Sequence, residues 1–474
     1  MASRTTSFPT KPRLFILSDI TNEPDDTQSL CRLLTYSNQL DLEGLVATTS
    51  VWLRNKVAPE VMHRVVDGYE KAVSNLNVHA HPDAQYLSAD HVRSLIKSGA
   101  SVYGMEAVGD DIPLSEGANL LLDRLQVSDP RPLWVLLWGG ANVLASVVHH
   151  IRKLPNAADL RAKLRVYAIS DQDDTGAWLR ITYPDIFYIC SVHGWNQYFN
   201  ATWTGISGDM PGEEGADRSL VSNAWIKTNI QIGPLGEKYP DVEYVMEGDT
   251  PTFPYLIQNG LNSPDNPSWG SWGGRYLPIA ETPTGMPKYG HHADAIDTVI
   301  GIDGKTATSN KAAIWRWRRA FQHDFAARIQ WTMHSEFSKA NHHPVVIVND
   351  HSSLSPLHID VDAGFHVELD ASKTYDPDGD SLTFKWYQYK EPSAIVTHHV
   401  YEVSDLTIET LDDGRKAKVT VASAEKSCIL IREKKPLAKG FPLHMILEVT
   451  DSGTPELTAY KRVVIQPINP DFRS

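Results

Sequence analysis

The sequence predicts two structural classes in one chain. Residues 1–340 read as α/β, a mostly parallel sheet flanked by helices, and residues 341–474 as an all-β immunoglobulin-like sandwich. Three observations carry this. Short apolar runs recur in the first region, each ending in polar or glycine-rich residues and followed by residues at helical spacing. From Val345 onward apolar residues alternate with period two between turn signals. At 474 residues the chain is longer than a single domain usually is.

The first element is the strand Leu14–Leu17. It ends in Ser18-Asp19-Ile20-Thr21-Asn22-Glu23-Pro24-Asp25-Asp26, and a helix over 25–38 starts at once, with Leu30, Leu33 and Leu34 on one face. A second strand over 42–49 completes a βαβ unit, hence a parallel pair with a right-handed crossover. Helices are expected over 59–74, opening with Pro59, and over 88–98 and 115–125. Pro132–Trp138 is a strongly apolar strand that stops at Gly139-Gly140-Ala141-Asn142, where the glycine pair permits close backbone approach before a helix from Val143. Leu164–Ile169 is another strand and ends in Ser170-Asp171-Gln172-Asp173-Asp174; Ile186–Cys190 ends ahead of His193 to Asn200. Ligands bind at the carboxyl ends of strands in such sheets, so several polar strand ends together mark a candidate site.

Residues 205–290 are rich in Gly, Pro, Trp and Asn with little periodicity, and read as a long loop or lid that carries Glu247 and Asp249. The segment His291-His292-Ala293-Asp294 offers acid–base or metal-binding groups; its plain alternative is a helix cap with surface histidines. A helix then starts near Thr308–Asn310, with Ile314, Trp317, Phe321 and Phe325 on one face and a solvated basic side of Arg316, Arg318, Arg319 and Arg328. In the β region, Asp376-Pro377-Asp378-Gly379-Asp380 is either a calcium loop or a tight turn with Gly379 at positive φ.

Composition excludes several partner classes. A net charge of −14 argues against a nucleic acid polymer, which needs a basic face. No run approaches the roughly 18 apolar residues of a membrane span. The first residues lack the apolar core of a secretory signal, so the chain as written is expected to be cytoplasmic, or secreted if a signal has been removed. Cys31, Cys190 and Cys428 are too scattered for a metal site or a disulfide framework, although one bridge is open. Thirteen Trp and eighteen Tyr suit stacking on sugar rings, and equally suit a packed core. Oligomeric state is open between a monomer and a homo-oligomer.

The stretch from Asp19 to Asp26 crowds four carboxylates, which repel one another unless they are solvated, protonated or neutralised by a cation. Its pattern resembles the amino-terminal signature of the inosine-uridine-preferring nucleoside hydrolase superfamily. Together with Ser170-Asp171-Gln172-Asp173-Asp174, Trp272-Gly273-Gly274-Arg275-Tyr276 and Ile314-Trp315-Arg316-Trp317-Arg318 it is similar to the nucleoside hydrolase-like domain of the DUF1593 family. Some members of that family are labelled cellulose-binding, and the likeness spans nearly the whole chain, including an immunoglobulin-like end.

The resemblance implies a bound Ca²⁺ with Asp19, Asp26 and Asp294 as ligands, and Asp25 as the binder of sugar hydroxyls. Asn22, Asp173, Asp174, Asn196 and Glu247 are the further substrate-binding candidates. Catalysis would fall to Asp19, Glu23 and Asp25, with His292 or its neighbour His291 as proton donor. One departure bears on activity: Thr21 stands where that superfamily has a second acid, a metal ligand and proton acceptor. The expected function is glycosidic-bond hydrolysis of a glycan or small glycoside. The alternatives are a nucleoside hydrolase and a noncatalytic carbohydrate-binding protein.

Overall fold

The computed structural model describes residues 4–208, 215–280, 290–394 and 400–472. The chain divides into two compact units. One comprises Ser7–Ile257 and Ser271–Phe337, and the other Met1–Thr6, Gln258–Gly270 and Ser338–Ser474.

The larger unit is built on an eight-stranded sheet. In chain order its strands are β1 (Arg13–Ser18), β2 (Asp41–Ala47), β3 (Ile96–Ser98), β4 (Leu133–Leu137), β5 (Leu164–Ser170), β6 (Phe187–Ser191), β7 (Tyr276–Pro278) and β8 (His291–Asp294). Their spatial order is β3-β2-β1-β4-β5-β6-β8-β7, and only β7 runs antiparallel to its neighbour. Every residue of β1 and β4 is buried, as expected for parallel strands covered on both faces. The chain winds outward from β1 to β2 and β3, then restarts at β4 on the other side of β1. The carboxyl ends of β1 and β4 therefore flank the point where strand order reverses, the usual place for a ligand crevice in an open α/β sheet.

The helix α1 (Asp25–Leu34) is four residues shorter than its apolar spacing suggests, because a turn takes over at Thr35, whose hydroxyl returns to the Arg32 carbonyl. Over 88–98 the helix stops at Leu95 and the chain continues directly as β3. His291–Asp294 is a strand rather than a helix cap, paired with β6 through Tyr188 and Ile189. The stretch over 205–290 is not structureless. It carries a helix over Asn223–Asn229 and short turns over Thr250–Leu256, and its residues 209–214 and 281–289 lie outside the described residues.

The basic side expected for the helix Arg318–Trp331 is in part buried, not solvated. Arg328 pairs with Asp324 and lies over the Tyr36 ring, and Arg318 donates to the carbonyls of Gly205 and Asp217. A guanidinium tolerates burial when its planar donors are all matched to acceptors. The three cysteines are free and buried.

In the smaller unit a four-stranded sheet (357–362, 458–468, 443–451, 382–389) faces a three-stranded one (366–370, 416–420, 407–411). Leu369, Ala417 and Val419 from one sheet pack with Trp386, Leu447, Val449 and Val463 from the other, giving the expected sandwich core. Gly379 has φ +93°, and Asp376 Oδ1 accepts from the backbone N–H groups of Asp378, Gly379 and Asp380, so the turn is tight; it also brings oxygens of Asp376, Asp378 and Asp380 within 4.8 Å of one another, as a calcium loop would.

Candidate active site

A hollow of about 170 Å³ opens at the carboxyl ends of β1 and β4. Its floor is acidic. Asp19 follows β1 directly, and Asp25 and Asp26 form the first turn of α1, where unpaired helix N–H groups favour negative charge. Ser18 ties strand to helix: its hydroxyl donates to Asp26 Oδ1 and accepts from the Ile20 N–H. The Asn22 N–H returns to the Asp19 carbonyl at 3.1 Å. This turn drives Thr21 to φ +95° with its side chain exposed, an unusual conformation for a β-branched residue.

A fourth acid of the floor, Asp249, arrives from the segment read as a lid, and two fixings put it there. Gln28 of α1 accepts from the Glu247 N–H and donates to the carbonyls of Pro240 and Asp241. Thr250 donates to Ser29 of the same helix at 2.9 Å. Between them Glu247 turns away and forms a buried ion pair with Arg32 at 2.6 Å, while also accepting from the Tyr239 hydroxyl. Asp249 turns the other way, into the floor, and is 1% exposed. Gly248 lies against the site. A Cβ there would stand 2.8 Å from Asp25 Oδ2 and 2.9 Å from the Trp203 ring, so no side chain fits. Gly139 and Gly140 serve the same end on the β4 side, where a Cβ would strike Asp19 or Asp173.

The electrostatics follow from burial without a balancing base. Among the described residues, the lining of the hollow includes five acids, Asp19, Glu23, Asp25, Asp26 and Asp249, and no Lys, Arg or His. Burial, only partly offset by hydrogen bonds, pushes the Asp19 carboxyl up to about 6. Burial and then the charges of Glu23 and Asp19 push Asp25 up to about 7. Asp26 and Asp249 are held well above the usual carboxylate range, by burial first and by their acidic neighbours second. Glu23 is raised by burial and by Glu243.

Carboxylates this close cannot all ionise in a metal-free state, so they share protons or take a cation. The donor set suits a cation. Oxygens of Asp25, Asp26 and Asp249 lie within 4.8 Å of one another. Within the described structure, the buried Oδ2 atoms of Asp19 and Asp249 have no hydrogen-bond partner. An all-carboxylate set of this kind is the chemistry of hard ions such as Ca²⁺.

The wall above is aromatic: Trp52, Trp138, Trp195, Tyr198, Phe199, Trp203 and Tyr244. Trp195 and Tyr198 are stacked at 5.8 Å with 12° between their planes, and Trp52 stands edge-on to both. Gln172 closes one side and donates its amide to the Trp138 carbonyl.

The structure gathers Asp19, Asn22, Glu23, Asp25 and Asp26 from the predicted set. The others go elsewhere. Asp173 and Asp174 line an adjoining hollow, and Asn196 is exposed in the turn between Trp195 and Asn200. Glu247 is taken by Arg32 and does not face the hollow. Asp294 ends β8, where it accepts from the Ser191 hydroxyl (2.6 Å), the Thr202 N–H and the Asn310 amide (3.0 Å each). With its oxygens so occupied and β8 two strands beyond β5, it stands apart from the Asp25–Asp26–Asp249 group. His292 packs on the Phe187 ring with Nδ1 at 2.9 Å from the Gly290 carbonyl, and does not line the hollow. His291 is buried, and desolvation with the nearby Arg180 lowers it to about 4, a poor proton donor near neutrality. Sequence reasoning passed over Asp249, Gln172 and the individual aromatics. The one signal for Asp249 was its place two residues beyond Glu247.

A parallel sheet with a strand-order reversal, an acidic floor at that reversal and an all-β carboxyl-terminal unit define a nucleoside hydrolase-like protein carrying an accessory sandwich. A solved structure of a nucleoside hydrolase-related protein from Saccharophagus degradans, described as associated with carbohydrate metabolism, matches with a TM-score of 0.76 at 31% identity, over 97% of this chain and 100% of that one. The chain belongs to the family described as "Cellulose-binding Sde182, nucleoside hydrolase-like domain", whose model matches residues 13–276. Residues 366–467 match the model described as "Cellulose-binding protein Sde0182, C-terminal domain". The inosine-uridine preferring nucleoside hydrolase from Bacillus anthracis is far more distant, with a TM-score of 0.34 at 13% identity over 68% of this chain and 100% of that one. No curated protein matches the chain.

Proposed function

We propose that the hollow binds a sugar and hydrolyses its glycosidic bond, with a Ca²⁺ held by Asp25, Asp26 and Asp249. The observation that carries the reading is five carboxylates beneath a wall of aromatic rings, with no basic residue among the described lining. Carboxylates accept hydrogen bonds from sugar hydroxyls, and aromatic faces cover the apolar C–H face of the ring. A bound Ca²⁺ would supply charge that lets the crowded acids ionise together and would fix the hydroxyls of the ring.

The chain's own residues do the rest. Asp25, at the lip of α1, accepts from a ring hydroxyl. Asp19 takes a proton from the attacking water. The ionised carboxylates around the ring stabilise the positive charge that develops as the bond breaks. Glu23 is half-buried at the rim with a raised pKa, and protonates the leaving oxygen. The aromatic wall and Gln172 limit water to the attacking molecule.

A binding-only reading is favoured by one observation: Thr21, at the position of the superfamily's second acid, is turned out to solvent. The test is to incubate the full chain and Asp26→Ala with Ca²⁺, a panel of oligosaccharides and ribonucleosides. Sugar released by the parent and not by the variant supports hydrolysis. Binding without release leaves the noncatalytic reading, and release of free base from a ribonucleoside overturns the glycan reading.

A further inference from the structure

A second hollow, of about 290 Å³, adjoins the first, and Trp195 and Tyr198 line both. The end of β5 runs between the two and supplies side chains to each. Ile169 and Gln172 face the first, while Asp171, Asp173 and Asp174 face the second. We propose that the two hollows are consecutive subsites for a neutral glycan chain. The first takes the ring at the acidic floor and the second the adjoining ring, so the ligand is an oligosaccharide rather than a monosaccharide or a nucleoside. This rests on the sugar-binding reading given above.

The lining of the second hollow points to a polyol. Asp173 is 5% exposed; its Oδ1 is satisfied by the N–H and hydroxyl of Thr175, the Ala141 N–H also turns to the carboxylate, and its buried Oδ2, beside Gly140, makes no full hydrogen bond within the described structure. A hydroxyl donor is what such an oxygen lacks. Asp171 is paired with Arg180, so that cation is already engaged and is not offered to an anion. Asp174 is exposed and acidic, and the remaining titratable groups of the lining are Tyr103, Tyr198 and His193. A phosphate would meet carboxylates here, which excludes nucleotides on charge. The shared wall supplies the apolar half of the recognition. Trp195 is 58% exposed and Trp52 51%; Tyr198 stacks on one face of Trp195, and the rest of both rings is open beside the join between the two hollows. Aromatic rings left open in this way, beside acceptors without donors, match the alternating C–H and O–H faces of linked sugar rings.

The test uses the full chain and its tryptophan fluorescence. Parent, Asp173→Asn, His193→Ala and Tyr103→Ala are titrated with β-1,4-linked glucose and xylose oligomers of one to four units, and with inosine. The parent is expected to bind the dimer or longer of one series at least tenfold more tightly than its monomer. Each variant is expected to reduce that oligomer-to-monomer ratio at least fivefold. Monomer bound as tightly as oligomer, or a ratio unchanged by all three variants, overturns the second subsite and leaves the sugar site standing. Inosine bound more tightly than any sugar, with affinity lost in His193→Ala, makes the second hollow a base pocket and overturns the proposal. Failure of every sugar to bind the folded parent overturns the sugar-binding reading and this one together.

Discussion

Asp249→Asn offers the sharpest test of the acidic floor, because it should move two properties in opposite directions. Oxygens of Asp25, Asp26 and Asp249 lie within 4.8 Å of one another. Two unit charges about 4.8 Å apart repel by about 3.5 kcal/mol at an effective dielectric of about 20. Repulsion at the floor grows as pH rises through the values of about 6 and about 7 for Asp19 and Asp25, and grows further as Asp26 and Asp249, raised by burial and by those neighbours, ionise in turn. The amide removes one charge, and its buried N–H₂ group costs about 1–2 kcal/mol of that gain if it finds no acceptor. Once the floor is ionised, the metal-free variant should therefore be about 1.5–2.5 kcal/mol more stable than the parent, a rise of a few degrees in Tm for a unit this large. Its Ca²⁺ affinity should fall about 100-fold or more, since the same 3 kcal/mol of attraction is lost and 1.4 kcal/mol is a factor of ten. Differential scanning fluorimetry after chelation, with calorimetric Ca²⁺ titration, reads both. A variant with lower Tm in chelator and an unchanged Ca²⁺ affinity would refute the account of Asp249 as a strained ligand.

Three further outcomes follow from the same geometry. Asp19 and Asp25 hold protons more tightly folded than unfolded, so the metal-free protein is most stable below pH 4 on their account and loses that stability as pH rises to about 7. Ca²⁺ competes with those protons, and its thermal shift should grow from pH 5 to pH 7.5; a shift that is flat with pH contradicts the metal site. Glu247→Gln leaves the Arg32 guanidinium buried beside a neutral partner and should cost about 3–5 kcal/mol in urea unfolding. Thr21→Gly relieves a β-branched residue at φ +95° and should stabilise the protein by about 1 kcal/mol, the strain relieved less the added freedom of the unfolded chain, with Ca²⁺ affinity unchanged.

The sheet was legible because its strands are buried on both faces, so β1, β4 and β5 read as unbroken apolar runs with polar ends. Chain order also placed β1 and β4 early, and the acids after β1 announced the floor. What could not be read was distance between segments. Glu247 and Asp249 are two residues apart and chemically alike. Only the positive φ of Glu247 and its meeting with Arg32 decide which acid enters the site. Asp294 looked equal to either, but its fate depends on Ser191, Thr202 and Asn310, which converge on it from three separate segments. The segment at His291 failed for a different reason: four residues are too few to show period two, so an added strand could not be told from a cap. The buried arginines of the helix Arg318–Trp331 misled in the same way, since matching acceptors came from Gly205, Asp217 and Tyr86, far away in sequence.

Loss of an acid at position 21 narrows the choice of proton acceptor to groups that are ionised near neutrality and free to accept. Asp26 accepts from Ser18, and burial with the charges of Asp19 and Asp25 holds it well above the usual carboxylate range. Asp25, at about 7, is only half ionised there without a metal. Asp19 is different. Its value of about 6 leaves it ionised at pH 7, its Oδ2 has no partner, and Gly139 packs against its Cβ and holds it in place. Glu23 sits at the rim in partial contact with water, where a raised pKa suits a donor. The rate on the bound sugar needs Asp19 ionised and Glu23 protonated, so it should fall towards both extremes of pH. Asp19→Asn should lower kcat by about 100-fold or more and flatten the acid limb. Glu23→Gln should leave that limb and spare substrates with a leaving group that needs no proton, such as nitrophenyl glycosides. An acid limb that survives in Asp19→Asn, or a loss in Glu23→Gln that is equal for nitrophenyl and natural glycosides, would reverse the assignment of the two roles.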